Sequence, residues 1–201
     1  MPRRDVPFCV NEYYHLYNRS NNRAEIFYER ENYLFFLGRL RKFVIPTVEI
    51  VAYCLMPNHY HLLMQVSDTE TSEVLETSEV SKKVSKAMKL FSISYTKAMN
   101  NRYDRVGSLF QGAFQAKHVG TDRYLIHLSR YIHINPVPAN LVKRPEDWEF
   151  SSYREYIGIR EGTLPKPEII LSLFSSRQAY REFVESYTSK DQDMIAGLLF
   201  D

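Results

Sequence analysis

Cysteine is scarce: Cys9 and Cys54 are the only two in 201 residues. Two cysteines build no disulfide framework, and Cys54 sits in an apolar stretch where a thiol acts as a small buried side chain. A reducing cytoplasm is the expected compartment. An excess of charge of one sign is also missing, since 26 Lys+Arg against 24 Asp+Glu leave a net charge of +2. No global field announces a polyanion partner. No apolar run approaches the roughly 18 residues of a membrane-spanning helix. Met-Pro-Arg-Arg-Asp at the start is not followed by the apolar core of a secretion signal. What is present is an ordinary globular composition, 44% hydrophobic and 25% charged, long enough for one well-buried domain with a C-terminal extension.

The charge is unevenly placed. Acidic residues gather between Asp68 and Glu79 and again from Glu146 onward, whereas residues 82–144 carry twelve Lys or Arg against two Asp. That basic segment is also rich in Tyr, Phe and His, as nucleic-acid-binding surfaces are, and solvated helix faces would look the same.

Residues 10–17 read as a first strand, with His15 expected to be structural or to stand behind a metal ligand. Residues 31–44 follow as a helix with Tyr33, Phe36, Leu37 and Leu40 at helical spacing, ended by Pro46. Residues 49–56 form a second strand, and Pro57-Asn58 suits the centre of a tight turn into a third. Residues 67–81 are rich in Ser, Thr and Glu, with Thr-Ser-Glu-Val at Thr71 and again at Thr77. The echo is too short for a structural repeat and reads as a mobile acidic connector. A second helix over 82–101 carries Val84, Met88, Phe91, Tyr95 and Met99 on one stripe. A loop over 101–112 and a fourth strand over 113–119 follow. A third helix is capped by Thr121 or Asp122 and stops near Asn135, because Pro136 disfavours helical geometry in the residue before it. The order predicts an α+β, ferredoxin-like split βαβ fold: a four-stranded antiparallel sheet with two helices on one face. The third helix is added to it. The expected division is residues 1–145, including the connector, and an extension over 146–201. Within that extension, residues 169–174 and 178–187 look helical and either pack on the domain or contact DNA.

In the third strand His59 and His61 are one residue apart and so share a face, while Tyr60, Leu62, Met64 and Val66 make an apolar set on the other. Two imidazoles on a rigid strand supply two ligands of an open metal site, and two half-buried structural histidines would show the same spacing. On the third helix, Leu125, Leu128 and Ile132 share one face. His127, Tyr131 and Asn135 form a row beside it, with Arg123 and Arg130 flanking on the solvent side. Metal and arginines near Tyr131 would suit a nucleophile attacking a phosphodiester, although a tyrosine on an amphipathic helix is usually structural.

Three blocks resemble those of a known family. Cys54-Leu-Met-Pro-Asn-His-Tyr-His-Leu-Leu63, Gly107-Ser-Leu-Phe-Gln-Gly112 and Ser129-Arg-Tyr-Ile-His-Ile-Asn-Pro-Val137 together resemble the HUH-type single-tyrosine transposases, in particular the REP-associated tyrosine transposase branch. The resemblance runs from about Tyr13 to Tyr156 and includes Trp148-Glu-Phe-Ser-Ser-Tyr153. It implies that His59 and His61 hold a divalent ion, Mg²⁺ or Mn²⁺, with Asn135, where some relatives carry Gln, as third protein ligand. Tyr131 is implied to attack a single-stranded DNA phosphate, forming a 5′-phosphotyrosine link and releasing a 3′-OH that later permits rejoining. Single-stranded or hairpin DNA is the implied partner, with no membrane, in a bacterial cytoplasm and at the nucleoid when bound. Arg102, Arg105, Lys117, Arg123, Arg130 and His127 are the candidates for DNA contacts. A homodimer in which each tyrosine helix completes the other subunit's site is one arrangement of such enzymes. Two other readings stay open: a non-catalytic DNA-binding protein derived from a transposase, and a phosphodiesterase in which the histidine-bound metal activates water.

Overall fold

The computed structural model describes residues 6–67 and 77–198. Strand β1 (Tyr13–Arg19), helix α1 (Arg30–Phe43), strands β2 (Val48–Met56) and β3 (His59–Val66), helix α2 (Thr77–Arg102) and strand β4 (Gln115–Val119) follow in the expected order. The sheet runs β2-β3-β1-β4, antiparallel throughout. This is the ferredoxin-like α+β arrangement.

One face of the sheet follows from alternation in β3. Tyr60, Leu62, Met64 and Val66 are buried there together with Tyr33, Phe36 and Leu40 of α1 and Val84, Met88, Phe91, Tyr95 and Met99 of α2. Aromatic rings carry much of this layer: Phe36 meets Phe91 edge-on at 4.7 Å between centroids, and the Tyr95 hydroxyl donates to the Ile26 carbonyl at 2.7 Å. Burying the hydroxyl is tolerable because that bond satisfies it.

Helix α3 (Asp122–Ile134) takes the opposite face. Thr121 caps it by accepting from the Tyr124 amide at 3.2 Å, and Asn135 closes it immediately before Pro136. Its Leu125, Leu128 and Ile132 bury against Ala52, Cys54, Met56 and Leu63 of the sheet. Beside it pack α4 (Tyr153–Tyr156), α5 (Pro167–Leu171), α6 (Arg177–Glu185) and α7 (Ser189–Met194), with Tyr153, Tyr156, Ile170, Tyr180 and Val184 in the same layer. Of the two roles open to the C-terminal residues, packing on the domain is the one the structure displays. Phe150 also stacks on Tyr33 of α1 at 3.7 Å, and the Trp148 indole donates to the Leu55 carbonyl at 3.0 Å.

Several boundaries move, the fourth strand among them, which begins at Gln115 rather than residue 113. The first strand begins at Tyr13 rather than residue 10, because Asn11 adopts φ +62°, which breaks extended structure, and the strand continues through Arg19. Helix α2 starts at Thr77, five residues earlier than its apolar stripe suggested, and Val80 is already buried. The rest of the acidic connector, 68–76, lies outside the described residues. Both cysteines are free, and no helix among the described residues is long and apolar enough to cross a membrane.

Candidate active site

The two-residue turn at Pro57-Asn58 sets the register of everything that follows. His59 lies opposite Met56 on one side and Arg19 on the other, and His61 opposite Cys54 and Tyr17. His15 faces Leu63 and Lys117 in the next row of the same face. His61 and His15 are fully buried, with His15 Nε2 2.9 Å from His61 Nδ1. His15 therefore stands behind His61 rather than beside it. His59 Nδ1 is 2.6 Å from Asn58 Oδ1, an acceptor, so that nitrogen carries the proton and Nε2 keeps its lone pair. Burial, reinforced by the Arg19 charge, lowers His59 to about 4. Burial together with the neighbouring imidazoles His59 and His15 pushes His61 well below the usual histidine range. Both are neutral near pH 7, the state in which imidazole binds metal.

Helix α3 brings Tyr131 to this pair within a single chain. The His59 and His61 rings are 5.0 Å apart, and the Tyr131 ring meets His61 edge-on at 5.5 Å. Burial pushes the Tyr131 hydroxyl up to about 12, and the Asn135 carboxamide acts in the opposite direction. Asn135 is one turn on, with its backbone N–H donating to the Tyr131 carbonyl at 3.1 Å. Among the described residues no group of three or more His, Cys, Asp or Glu is placed to hold a metal. A third protein ligand to any ion held there would have to come from another residue type, and a carboxamide oxygen suits a hard divalent cation. Two neutral imidazoles and a carboxamide oxygen have the donor chemistry that a divalent ion takes.

The basic candidates disperse. Lys117 is across the strand from His15, on the histidine face, and Arg123 is exposed in the first turn of α3. Arg105 is part-buried, its Nη1 donating to Asn100 Oδ1 at 3.4 Å, and Arg102 pairs with Glu29 at 2.6 Å on the α1–α2 side of the sheet. Arg130 is not on the solvent side: it is 4% exposed, pairs with Asp191 at 2.7 Å and lies over the Phe183 ring at 4.1 Å. The C-terminal helices cover the flank that α3 alone would have left open. His127 belongs to the same cluster, 3.9 Å from Asp191 and against Phe183.

Two contributors escaped the sequence reading. Arg19 lies directly across from His59, and its position at the end of a strand carrying His15 and Tyr17 in the same phase was the available signal. The other is His133, fully buried and held near 3 by that burial. A chain of hydrogen bonds runs through it. The Tyr53 amide donates to Ser152 Oγ (2.9 Å), which meets His133 Nε2 (2.8 Å), while His133 Nδ1 meets the Tyr180 hydroxyl (2.7 Å). Tyr180 donates to Ser129 Oγ (3.1 Å), and Ser129 to the Ile126 carbonyl (2.8 Å). With one proton per group the chain runs in one direction when neutral His133 is protonated on Nδ1. It ties the tyrosine helix to β2 on one side and to α6 on the other.

The chain is similar to several known transposases. A protein of Haemophilus influenzae named as a REP-associated tyrosine transposase is 27% identical over 105 residues, which make up 52% of this chain and 58% of that one. The chain therefore matches less than two thirds of that relative's length. The solved structure of a REP-associated tyrosine transposase bound to a REP hairpin is 16% identical. It covers 83% of this chain and 98% of its own with a TM-score of 0.56, a shared fold. A transposase structure from Deinococcus radiodurans, 14% identical, covers 65% of this chain and 95% of its own with a TM-score of 0.37. The family model for IS200-like transposases matches residues 9–135, more than half of the sequence and every residue of the His59, His61, Tyr131 and Asn135 constellation. The chain belongs to the IS200-like transposase family.

Proposed function

We propose that this transposase nicks and rejoins single-stranded DNA beside hairpins, with Tyr131 as nucleophile and a divalent ion, Mg²⁺ or Mn²⁺, held by His59, His61 and Asn135. The observation that carries the reading is the Tyr131 ring 5.5 Å from His61, inside the family's matched region. When bound, the ion supplies positive charge to the scissile phosphate and to the phenol. Tyr131 Oη attacks phosphorus, the Tyr–O–P bond forms and the P–O3′ bond breaks, and the phenol's proton ends on the released 3′-OH. The same hydroxyl, or another strand's, reverses the exchange with no external energy, because one phosphoester replaces another. The Asn135 carboxamide lies one turn from the attacking oxygen, and its effect on Tyr131 favours the phenolate. Lys117, Arg105, Arg123 and Arg102 are the proposed tracks for the DNA backbone, and the hairpin in the complex of the structural relative is the model for the substrate.

The test is a denaturing gel of the protein with labelled hairpin-flanked single strand and Mn²⁺. A label that stays on the wild-type protein, requires metal, and is lost in Tyr131→Phe and in His59→Ala/His61→Ala is the expected result. Cleavage persisting in Tyr131→Phe with no adduct would move the function to metal-activated hydrolysis, and binding with no cleavage to a DNA-binding role alone.

A further inference from the structure

The face that carries the histidines continues past His59 into a small cleft of about 210 Å³, lined by Arg19, Arg23, Asn58 and His59. Arg19 reaches it because β1 pairs Arg19 directly with His59. Several contacts hold its walls. Arg19 Nε donates to Gln111 Oε1, and the Gln111 amide returns a bond to the Arg19 carbonyl at 3.0 Å. Asn58 Nδ2 donates to the Arg23 carbonyl at 3.3 Å, and the Ser20 amide to the Asn58 carbonyl at 2.9 Å. Asn22 and Arg23 both take left-handed backbone, φ +54° and +55°, which non-glycine residues adopt rarely and only where surroundings enforce it. The chain thus builds a fixed loop that brings Arg23 to the same cleft as Arg19.

Among the described residues no acidic side chain lines the cleft. Two guanidiniums without a lining carboxylate make an anion site, and the planar fork of arginine matches two phosphate oxygens. The volume is below the roughly 300–1,000 Å³ of pockets that enclose a drug-sized ligand, which favours a phosphate group over a whole nucleoside. Position narrows the choice of phosphate. His61 is the imidazole that meets Tyr131, and His59 stands between His61 and the cleft.

We propose that this cleft binds one backbone phosphate of the DNA strand, flanking the phosphate that Tyr131 attacks, through Arg19 and Arg23. The assignment rests on the DNA-processing reading above, and it gives the strand a second fixed point beside the metal ligands. Holding two successive phosphates fixes the strand's direction through the site, so the attacked phosphorus is presented in line with Tyr131.

Fluorescence anisotropy in EDTA, with a labelled hairpin carrying a single-stranded flank, tests the cleft without cleavage. Wild type, Arg19→Gln, Arg23→Gln, the double variant and Arg19→Lys are titrated over a range of salt. Loss of each contact is expected to flatten the slope of log Kd against log salt by about 0.7, and loss of both to weaken binding roughly tenfold or more. Arg19→Lys keeps the charge and is expected to keep the slope, and matched thermal melts show that the variants fold. A scan of single methylphosphonate substitutions then locates the phosphate. The wild type is expected to lose affinity at one flanking position, where the double variant is indifferent. Wild-type binding with unchanged slope and affinity in the double variant overturns the cleft alone, as does coupling found only at the attacked phosphate. Failure of the wild type to bind hairpin DNA overturns the underlying reading as well.

Discussion

Tyr131 sits where burial opposes the phenolate that the proposed attack requires: its hydroxyl is pushed up to about 12, against about 10 in water. A cation beside it has correspondingly more to contribute, because the same partial burial that raises the phenol strengthens every charge interaction around it. The sign of the pH dependence follows. The reactive form is the deprotonated one, so single-turnover adduct formation is expected to climb roughly tenfold per pH unit below the phenol's effective pKa. A flat profile across neutral and mildly alkaline pH in a rapid-quench experiment would contradict a rate limited by deprotonation of the phenol. Asn135→Ala is expected to reduce adduct formation and to raise the metal concentration needed for half-maximal rate, whereas Asn135→Asp restores a ligand oxygen. At this scale the sequence was informative wherever a simple period operates. His59 and His61 share a face because strands alternate, and Tyr131 and Asn135 neighbour each other because helices turn in 3.6 residues. Arg130 was misread for the complementary reason: helical arithmetic places it on the outer flank of α3, but the residues that cover it come from beyond position 180.

The third helix is the element on which the site depends, and it is held from both sides. Its apolar row buries on the sheet, while Ser129 and His133 join the hydrogen-bonded chain to Tyr180 of α6 and Ser152 before α4. His133→Phe keeps the bulk and removes the two hydrogen bonds that the ring makes, at a cost of about 0.5–1.5 kcal/mol for each, while the Ser152 hydroxyl keeps the Tyr53 carbonyl and the Tyr180 hydroxyl keeps Ser129 as partners. Urea unfolding is expected to show that loss, and the adduct rate to fall with it, since the rotation of the helix about its axis sets where Tyr131 points. Tyr180→Phe removes the hydroxyl that links His133 to Ser129 in the same chain and is expected to destabilise by a similar increment. If either variant unfolded at the wild-type urea midpoint, the chain would be decoration rather than a brace. The sequence located α3 and both of its ends, because Thr121 and Pro136 are local signals. It did not say which face of the sheet α3 covers, nor that α4 to α6 brace it, since those contacts join residues 19 to 51 positions apart.

Across the whole molecule the sheet divides labour between its faces. Helices α1 and α2 bury one face in an aromatic core, and the other is shared between α3, the C-terminal helices and the histidines. The four-stranded antiparallel sheet was legible because the order of elements matches a split βαβ fold, but which strand pairs with which was not. The path of the acidic connector was not, because nothing in its composition periodically prefers a face. The C-terminal residues are part of the fold's packing, with Phe150 stacked on Tyr33 and the Trp148 indole bonded to Leu55. Phe150→Ala is expected to lower stability by about 2–4 kcal/mol, read from urea melts, the lower range for a partly exposed aromatic. Because Tyr131 meets His61 of its own chain, mixing Tyr131→Phe with His59→Ala/His61→Ala is expected to restore no activity. Recovery of adduct in the mixture would mean that the tyrosine helix is exchanged between subunits.

The most direct measurement is peptide mapping by mass spectrometry of the protein trapped with a labelled single-stranded hairpin substrate and Mn²⁺. The account predicts one modified peptide, the one containing Tyr131, bearing a nucleotide through its 5′ phosphate. An adduct on any other residue, or a cleaved strand with no modified peptide, would contradict it.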